Sequence, residues 1–505
     1  MRLSTRFLAS FLYLILASLS QSAVVADRKP NILLILIDDM GWKDAGFAGS
    51  TYYETPHIDQ LAVEGVVFRN AYSAAPTCTP SRGALFSGKN PARTKLTTVF
   101  GSLANANEDL HSVAKYQGGK DQNLEGRFRH VLPKQEMIFA EVLSRAGYAT
   151  GFFGKWHIGE CEGYYPDQRG FQIAKGYRKQ SLSTSESGHW MKSFGKIGAN
   201  MPPDVEKDAY VAEAITRQCI DFIEEKHDKP WLAVLSHYLV HVPIQPKADK
   251  LEKYRKKPTS DQGNPGYAAM VESVDDSVGL VLETLKRLNL EENTLVIFTS
   301  DNGGYTPKVT SNYPLLGGKS FPFEAGMAVP LIMKWSGKIE SAISDQRVIN
   351  MDLYPTILSA AGLPLLPEQH TDGVDLMPVL ITQSDLENRP LVFHHPHYTH
   401  ATGPYSSIIE GDWKLIRFYN DAEGAYLLFD LGKDREERTD LAATEPEVVS
   451  TLSSRLAGFL AGMEAEMPTP NPKFKAAPGF GKFNLKHTRD LAEKERADFE
   501  TRIKR

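Results

Sequence analysis

The chain has 505 residues, 42% hydrophobic and 24% charged, an ordinary balance for a globular protein able to bury a large core. Its 57 Lys and Arg against 62 Asp and Glu leave a formal net charge of −5, which gives no electrostatic reason to bind nucleic acid. Three cysteines, Cys78, Cys161 and Cys219, exclude a disulfide framework and leave room for one Cys161–Cys219 bridge.

In chain order, Arg2 and Arg6 precede an apolar run, Phe7 to Leu19, and then small residues suited to cleavage after Ala23 or Ala26. This is the layout of a signal peptide over 1–26, too short for a comfortable membrane span. It predicts a periplasmic or secreted protein with no stable membrane insertion. The lack of an Asn-x-Ser/Thr sequon in the mature chain favours bacterial export.

"NILLILIDDMGW" follows, with an unbroken apolar run from Ile32 to Ile37 that stops at Asp38 and Asp39. A short run apolar on both faces reads as a central strand of a parallel sheet. Trp231 to Tyr238 and Thr294 to Gly304 repeat the form, with helical stretches at Ala209 to Glu225 and Ala268 to Leu288. The alternation predicts an α/β fold, a central mostly parallel sheet flanked by helices. Ligands of such sheets collect beyond the carboxyl ends of the strands. Asp38, Asp39, His241, Asp301 and Asn302 all fall at or just past such ends.

After about residue 385 the texture changes. "PLVFHHPHY", "YSSIIEGDWKLIRFY" and "AYLLFDLGKDREERTDLA" read as short antiparallel strands, followed by a helix near Pro446 to Met463. The chain divides into a body (27–385), a smaller C-terminal α+β domain with an antiparallel sheet (386–467) and a tail (468–505). The tail either wraps the body or is disordered.

Asp38, Asp39 and Asp301 are acids that repel one another unless a cation neutralises them, and Asn302 adds an amide oxygen. An all-oxygen set selects a hard ion such as Ca²⁺ or Mg²⁺, although acids at strand ends also serve as helix caps. Arg82, Lys155, His157, His241 and Lys319 supply the opposite charge. Facing a metal, they suit a tetrahedral oxyanion and the charge developing on its oxygens. Cys78 lies in "SAAPTCTPSRGALFSG", flanked by polar residues that argue against a core position. The nearby Arg82 favours an anion there, either a thiolate or something bound to it.

These stretches together resemble the formylglycine-dependent sulfatases of the alkaline-phosphatase-like superfamily. The resemblance runs from Asn31 to about Ala442. It rests on "NILLILIDDMGW", "CTPSRGALFSGKNPAR", "GYATGFFGKWHIG", "SDNGG", "GGK" with Glu324-Ala325-Gly326, and "LFDLGKDREERTDLA". It implies a large alkaline-phosphatase-like catalytic domain and a sulfuric ester hydrolase. A formylglycine-generating enzyme would convert Cys78 to formylglycine (3-oxoalanine). Asp38, Asp39, Asp301, Asn302 and position 78 would hold Ca²⁺. Arg82 would steady the modified residue and the metal site, and Lys155 and Lys319 would bind sulfate oxygens. His241, with Lys319, would assist the departing alkoxide, and His157 would take the proton that lets the aldehyde re-form. A plain serine in place of the gem-diol would leave a stable sulfate ester.

One departure from the family pattern is Ala328, which stands where an Arg is usual in Glu-Gly-Gly-x-Arg-Val-Pro. Another is the long polar segment Leu96 to Val131, with His111, Lys115, Arg127 and Arg129. It is either a substrate loop or a solvated excursion. The His-dense "FHHPHYTHATGP" (His394, His395, His397, His400) offers a substrate wall, a second metal site or a structural cluster. Arg127, Arg129, His395 and His397 are the candidate substrate contacts. The expected substrate is a sulfated carbohydrate, because an exported enzyme with polar excursions suits hydroxyl-rich anionic ligands. A phosphonate or phosphodiester hydrolase of the same superfamily and a non-catalytic glycan binder are the competing readings. Asp301-Asn302 and Gly-Lys-Trp-His disfavour the first, and the intact Cys78 and basic set disfavour the second.

Overall fold

The computed structural model describes residues 29–99, 107–111, 121–177, 188–191, 200–306, 309–421, 425–475 and 483–503. The signal-peptide segment 1–26 and Lys115 lie outside the described residues. The body contains β1 (Asn31–Ile37), β2 (Val66–Tyr72), β3 (Asn123–Leu124), β4 (Ala149–Gly154), β5 (Ile173–Lys175), β6 (Trp231–Ser236), β7 (Thr294–Ser300), β8 (Leu331–Lys334) and β9 (Ala342–Ile349). Eight of them form one sheet in the order β5-β4-β6-β1-β7-β8-β2-β9. Only β8 runs against its neighbours β7 and β2; the other pairs are parallel.

The sheet is covered on both faces, which is why its central strands are apolar throughout. Along β1, Leu33, Ile35 and Ile37 enter one core with Phe222, Val274 and Val278, from helices Val211–Lys226 and Pro265–Arg287. Ile32, Leu34 and Leu36 enter the opposite core with Phe139, Leu143 and Ile357. All six strand residues are fully buried, so truncating one to alanine should cost about 2–5 kcal/mol. The long helix Pro265–Arg287 starts where Asn264 accepts from the amides of Gly266 and Tyr267, with proline in its first turn. Lys286 and Arg287 close it against the negative end of the helix dipole.

The later chain adds β10 (Leu391–His395), β11 (Tyr405–Glu410), β12 (Trp413–Phe418) and β13 (Tyr426–Asp430), an antiparallel sheet in sequence order. Helix Pro446–Gly462 lays Leu452, Leu456 and Leu460, one per turn, on Val392, Ile408, Leu415 and Leu428 of one face. The other face packs Phe393, Ile409, Ile416 and Phe429 against Tyr72, Phe321, Phe323 and Met327 of the body. The small sheet is thus seated beside the Lys319 loop. Where it is described, the tail lies on the body. A short strand β14 (Thr469–Pro470) pairs with β3, and in helix Leu485–Ile503 the Glu495 carboxylate accepts from Thr306 at 2.9 Å.

Cys161 and Cys219 are both buried free thiols, so the bridge for which the sequence left room is not formed. Among the described residues no helix is long and apolar enough to cross a membrane.

Candidate active site

Four adjacent parallel strands, β4, β6, β1 and β7, deliver their C-terminal residues to one edge of the sheet. Lys155 follows β4, Asp38 and Asp39 follow β1, Asp301 and Asn302 follow β7, and His241 lies in the loop after β6. Beyond β2, helix Cys78–Ser87 starts at the same edge and brings Cys78 and Arg82. Gly154 makes the turn into Lys155 with φ +114°, and a Cβ there would stand 1.9 Å from the Ser236 carbonyl oxygen. Asp39 and His157 hold left-handed backbone at φ 63° and 65°, a conformation uncommon for non-glycine residues.

Cys78 Sγ stands at the centre, 3.4 Å from Asp38 Oδ1, 3.7 Å from Asp39 Oδ1 and 3.5 Å from Lys319 Nζ. Lys155 Nζ donates to both oxygens of Asp38 at 2.8 and 2.7 Å, and Lys319 Nζ donates to Asp39 Oδ2 at 2.7 Å. Arg82 Nε donates to Asp301 Oδ2 at 2.7 Å, and its Nη1 reaches Lys155 O and Ser236 Oγ at 2.8 Å each. His241 Nε2 lies 3.6 Å from Asp39 Oδ2, while its Nδ1 donates to Val242 O at 2.6 Å. His157 is drawn into the same field, its Nδ1 buried without a partner. Every strand-end residue expected from the sequence is therefore in one place.

The electrostatics follow from burial. Burial alone would raise the Asp38 carboxyl, but Lys155, His241, Arg82 and Lys319 hold it well below the usual carboxylate range. Asp301 has less help and is pushed up to about 6 by burial, with Arg82 opposing. Burial, then Lys155 and Arg82, press His157 well below the ordinary imidazole range, so it is a neutral base. Burial also raises the Cys78 thiol, and Asp301 reinforces it.

Two expectations about Cys78 need correction. The residue is 1% exposed, not held in an exposed polar loop. Arg82 does not make Cys78 a thiolate: its Nε is paired with Asp301, and burial, with Asp301 adding to it, raises the thiol. The polar flanks Thr77, Thr79 and Ser81 are themselves buried, and the Ser81 hydroxyl donates to the carbonyl of Asp301.

Asp38, Asp39, Cys78 and Asp301 present ligand atoms that all lie within 4.8 Å of one another, a buried acidic cluster able to hold a metal ion. Asn302 Nδ2 donates to Asp39 Oδ1 at 2.8 Å, and its Oδ1 is a buried acceptor with no donor. Three carboxylates and an orphaned amide oxygen fit a hard cation.

The candidate substrate contacts are not gathered here. Arg127 forms a bidentate pair with Glu466 at 2.9 and 2.8 Å, and Arg129 is tied through its backbone to Lys95 O at 2.8 Å. His397 is 1% exposed, with Nδ1 2.7 Å from Glu125 Oε2 and Nε2 2.8 Å from Thr97 Oγ1. His395 is 1% exposed beside it, neither ring nitrogen hydrogen-bonded. The residue of this stretch that does feel the centre is His400, which senses Lys319 and Asp39 and lies 5.5 Å, ring to ring, from Tyr305. Ser236, which anchors Arg82, was also missed; its place at the end of β6 was the available signal.

The sulfatase family model matches residues 30–363, and a model of the N-sulphoglucosamine sulphohydrolase C-terminal region matches 316–461. Mouse N-acetylgalactosamine-6-sulfatase is 33% identical over 402 residues, covering 76% of this chain and 72% of that protein. A sulfatase of Formosa agariphila is 30% identical over 494 residues, covering 85% and 87% of the two chains. A crystal structure of Ps i-CgsB with k-i-k-neocarrahexaose superposes with a TM-score of 0.71 at 25% identity, covering 94% of this chain and 99% of that one.

Proposed function

The chain belongs to the sulfatase family and is a sulfuric ester hydrolase, and from that premise we propose that it removes sulfate from carbohydrates using formylglycine at position 78 and Ca²⁺. The observation that carries the reading is the position of Cys78, ringed by Asp38, Asp39 and Lys319 within 3.7 Å at the start of a buried helix. A thiol pressed upon by carboxylates is a poor nucleophile. An aldehyde made from it, once hydrated, carries two hydroxyls at the same point.

When bound, Ca²⁺ would supply the positive charge that eases ionisation of a hydroxyl and screens a sulfate. The chain's own groups account for the rest. Lys319 Nζ, beside position 78, is placed to hold a sulfate oxygen, with Lys155 behind it. One hydroxyl of residue 78 attacks sulfur, its proton passing to His241 Nε2, and the bond from sulfur to the alcohol oxygen breaks. Burial and Lys319 keep His241 neutral with its own proton on Nδ1, held by Val242 O, so Nε2 is free to take that proton and give it to the departing alcohol. His157, a neutral base, takes the proton of the second hydroxyl. The carbon–oxygen bond to sulfate then breaks, the aldehyde returns and water rehydrates it.

Support for a carbohydrate comes from the mouse relative, named for N-acetylgalactosamine-6-sulfate, and from the oligosaccharide bound in Ps i-CgsB. The Tyr305–His400 ring pair beside the centre adds a polar-edged aromatic surface of the kind sugars stack on. The layout of 1–26 supports export, and maturation would require a formylglycine-generating enzyme. The test is kcat/KM across defined sulfated saccharides against 4-nitrophenyl sulfate. Turnover of the aryl ester with no release from any glycan would refute the carbohydrate assignment.

A further inference from the structure

A second set of buried charges joins the two sheets at the base of the Lys319 loop. Glu324, Lys414 and Glu437 are each 0% exposed. Lys414, on β12, reaches Glu324 Oε1 at 3.1 Å and Glu437 Oε1 at 2.8 Å. Tyr72, the last residue of β2, donates its hydroxyl to Glu324 Oε2 at 2.7 Å. The Glu324 amide donates to Glu437 Oε2 at 2.6 Å, and Arg435 Nε stands 3.8 Å from Glu324 Oε2. Glu437 meets these partners with φ +56°, a left-handed backbone that glutamate enters at a cost.

Packing alone does not call for such a cluster, since an apolar trio of equal volume serves at least as well. The cluster instead determines where Glu324 sits, and Glu324 closes the loop that carries Lys319. Beside it, Ala325 N donates to Leu316 O at 3.2 Å, shutting the loop, and Lys319 N donates to Gly304 O at 3.0 Å. Gly303, the residue after Asn302, donates to Gly326 O at 3.1 Å. It packs so closely that a Cβ would lie 1.9 Å from Ala325 O. A displacement of Glu324 is therefore passed to Lys319 on one side and to Asp301–Asn302 on the other.

We propose that Lys414 and Glu437 are positioning residues: from the small domain they clamp Glu324, and through it they set the placement of Lys319 and of the Asp301–Asn302 pair. The catalytic centre is completed by a domain that contributes no reacting atom to it. The inference rests on Lys319 acting on the sulfate ester.

The test is a double-mutant cycle on the full-length matured enzyme, assayed with 4-nitrophenyl sulfate and with a sulfated oligosaccharide. Lys414→Met should lower kcat about 10- to 100-fold, as a misplacement near 1 Å does, with KM moving less than about threefold. In a Lys319→Ala background the same substitution should cost clearly less than in wild type, because one of the two groups it positions is gone while Asp301–Asn302 remains. Glu437→Gln, which keeps an oxygen acceptor for the Glu324 amide, should retain most of the activity that Glu437→Ala loses. If Lys414→Met does not fold, the two Glu437 variants carry the same cycle. Lys250→Met, which breaks partly buried ion pairs with Glu272 and Asp276 on another helix, serves as the control: it should lower thermal stability and leave kcat within about twofold. Full multiplication of the Lys414 and Lys319 losses, or wild-type kcat in a folded Lys414→Met, would overturn the proposal alone. A Lys319→Ala enzyme with unchanged kcat would remove the underlying reading as well.

Discussion

Asn302 gives its amide hydrogen to Asp39 at 2.8 Å and leaves its own carbonyl oxygen buried with no donor in reach. Beside it, Asp301 is pushed up to about 6 by burial, only partly offset by Arg82. One bound cation would relieve both. Exhaustive chelation should therefore abolish turnover and lower the melting temperature, and added Ca²⁺ should restore both. At a free concentration a hundred times its Kd, the ion contributes about 2.7 kcal/mol. Asn302→Ala should weaken calcium binding in calorimetry while the apo protein keeps its fold. A chelated protein with unchanged melting and full activity would sink the assignment.

Cys78 is small and buried against polar groups, so Cys78→Ala should leave the fold within about 1 kcal/mol of wild type while turnover falls at least about a thousandfold. Cys78→Ser is the more telling variant. A single hydroxyl can take sulfate from an ester but has no partner hydroxyl to expel it. At most one turnover should occur, with sulfate retained on the protein. Mass spectrometry of the peptide Ser73 to Gly88 checks both, and active wild-type enzyme carrying only unmodified cysteine would refute the scheme.

The strand-end residues were legible because each sits beside a local pattern: an apolar run that stops at Asp38, another at Ser300 before Asp301. Parallel strands then bring those ends together without further information. The clamp on Glu324 was not legible, since Lys414 and Glu437 lie 90 and 113 residues away and no periodicity links them. Cys78 misled for a related reason. Polar neighbours read as exposed unless the chain folds a second polar layer over them, here Asp301, Ser236 and Asn350. His397 was assigned to substrate on density of histidine alone, yet its partners Glu125 and Thr97 are about 270 and 300 residues earlier.

The two active-site histidines should separate by leaving group. On the proposed roles, His241→Ala removes the acid for the alcohol, so a nitrophenol, which leaves without a proton, should recover much of the lost rate. His157→Ala removes the base that frees sulfate, a step common to all esters, and should show no such recovery. Losses of 10²- to 10⁴-fold are the expected scale for each group. Equal losses on activated and unactivated esters for both variants would void the division of roles.

Glu125 and His397 form a buried pair whose charges are both suppressed. Burial pushes Glu125 up to about 8 from 4.5 and His397 down to about 3 from 6.5. At neutral pH the bond is therefore a carboxylic acid donating to imidazole Nδ1, with Nε2–H passed on to Thr97. The signs are opposite. Glu125 holds its proton longer in the folded state, so stability is lost as pH rises from 4.5 through 8. His397 stays neutral in the folded state while the unfolded chain takes a proton, so stability is lost as pH falls from 6.5 through 3. Between 4.5 and 6.5 the two slopes cancel, leaving a plateau from this pair with a falling limb on each side. From 6.5 to 8 the alkaline limb should cost up to about 2 kcal/mol. Glu125→Gln imitates the protonated acid, donating an amide hydrogen to the same Nδ1. Its stability should hold nearly level from pH 6 to pH 8 while wild type falls, so its advantage widens with pH, and the acid limb should be kept. Chemical denaturation at the two pH values decides it: parallel losses in both proteins above pH 6.5 would mean that Glu125 is ionised in the fold after all.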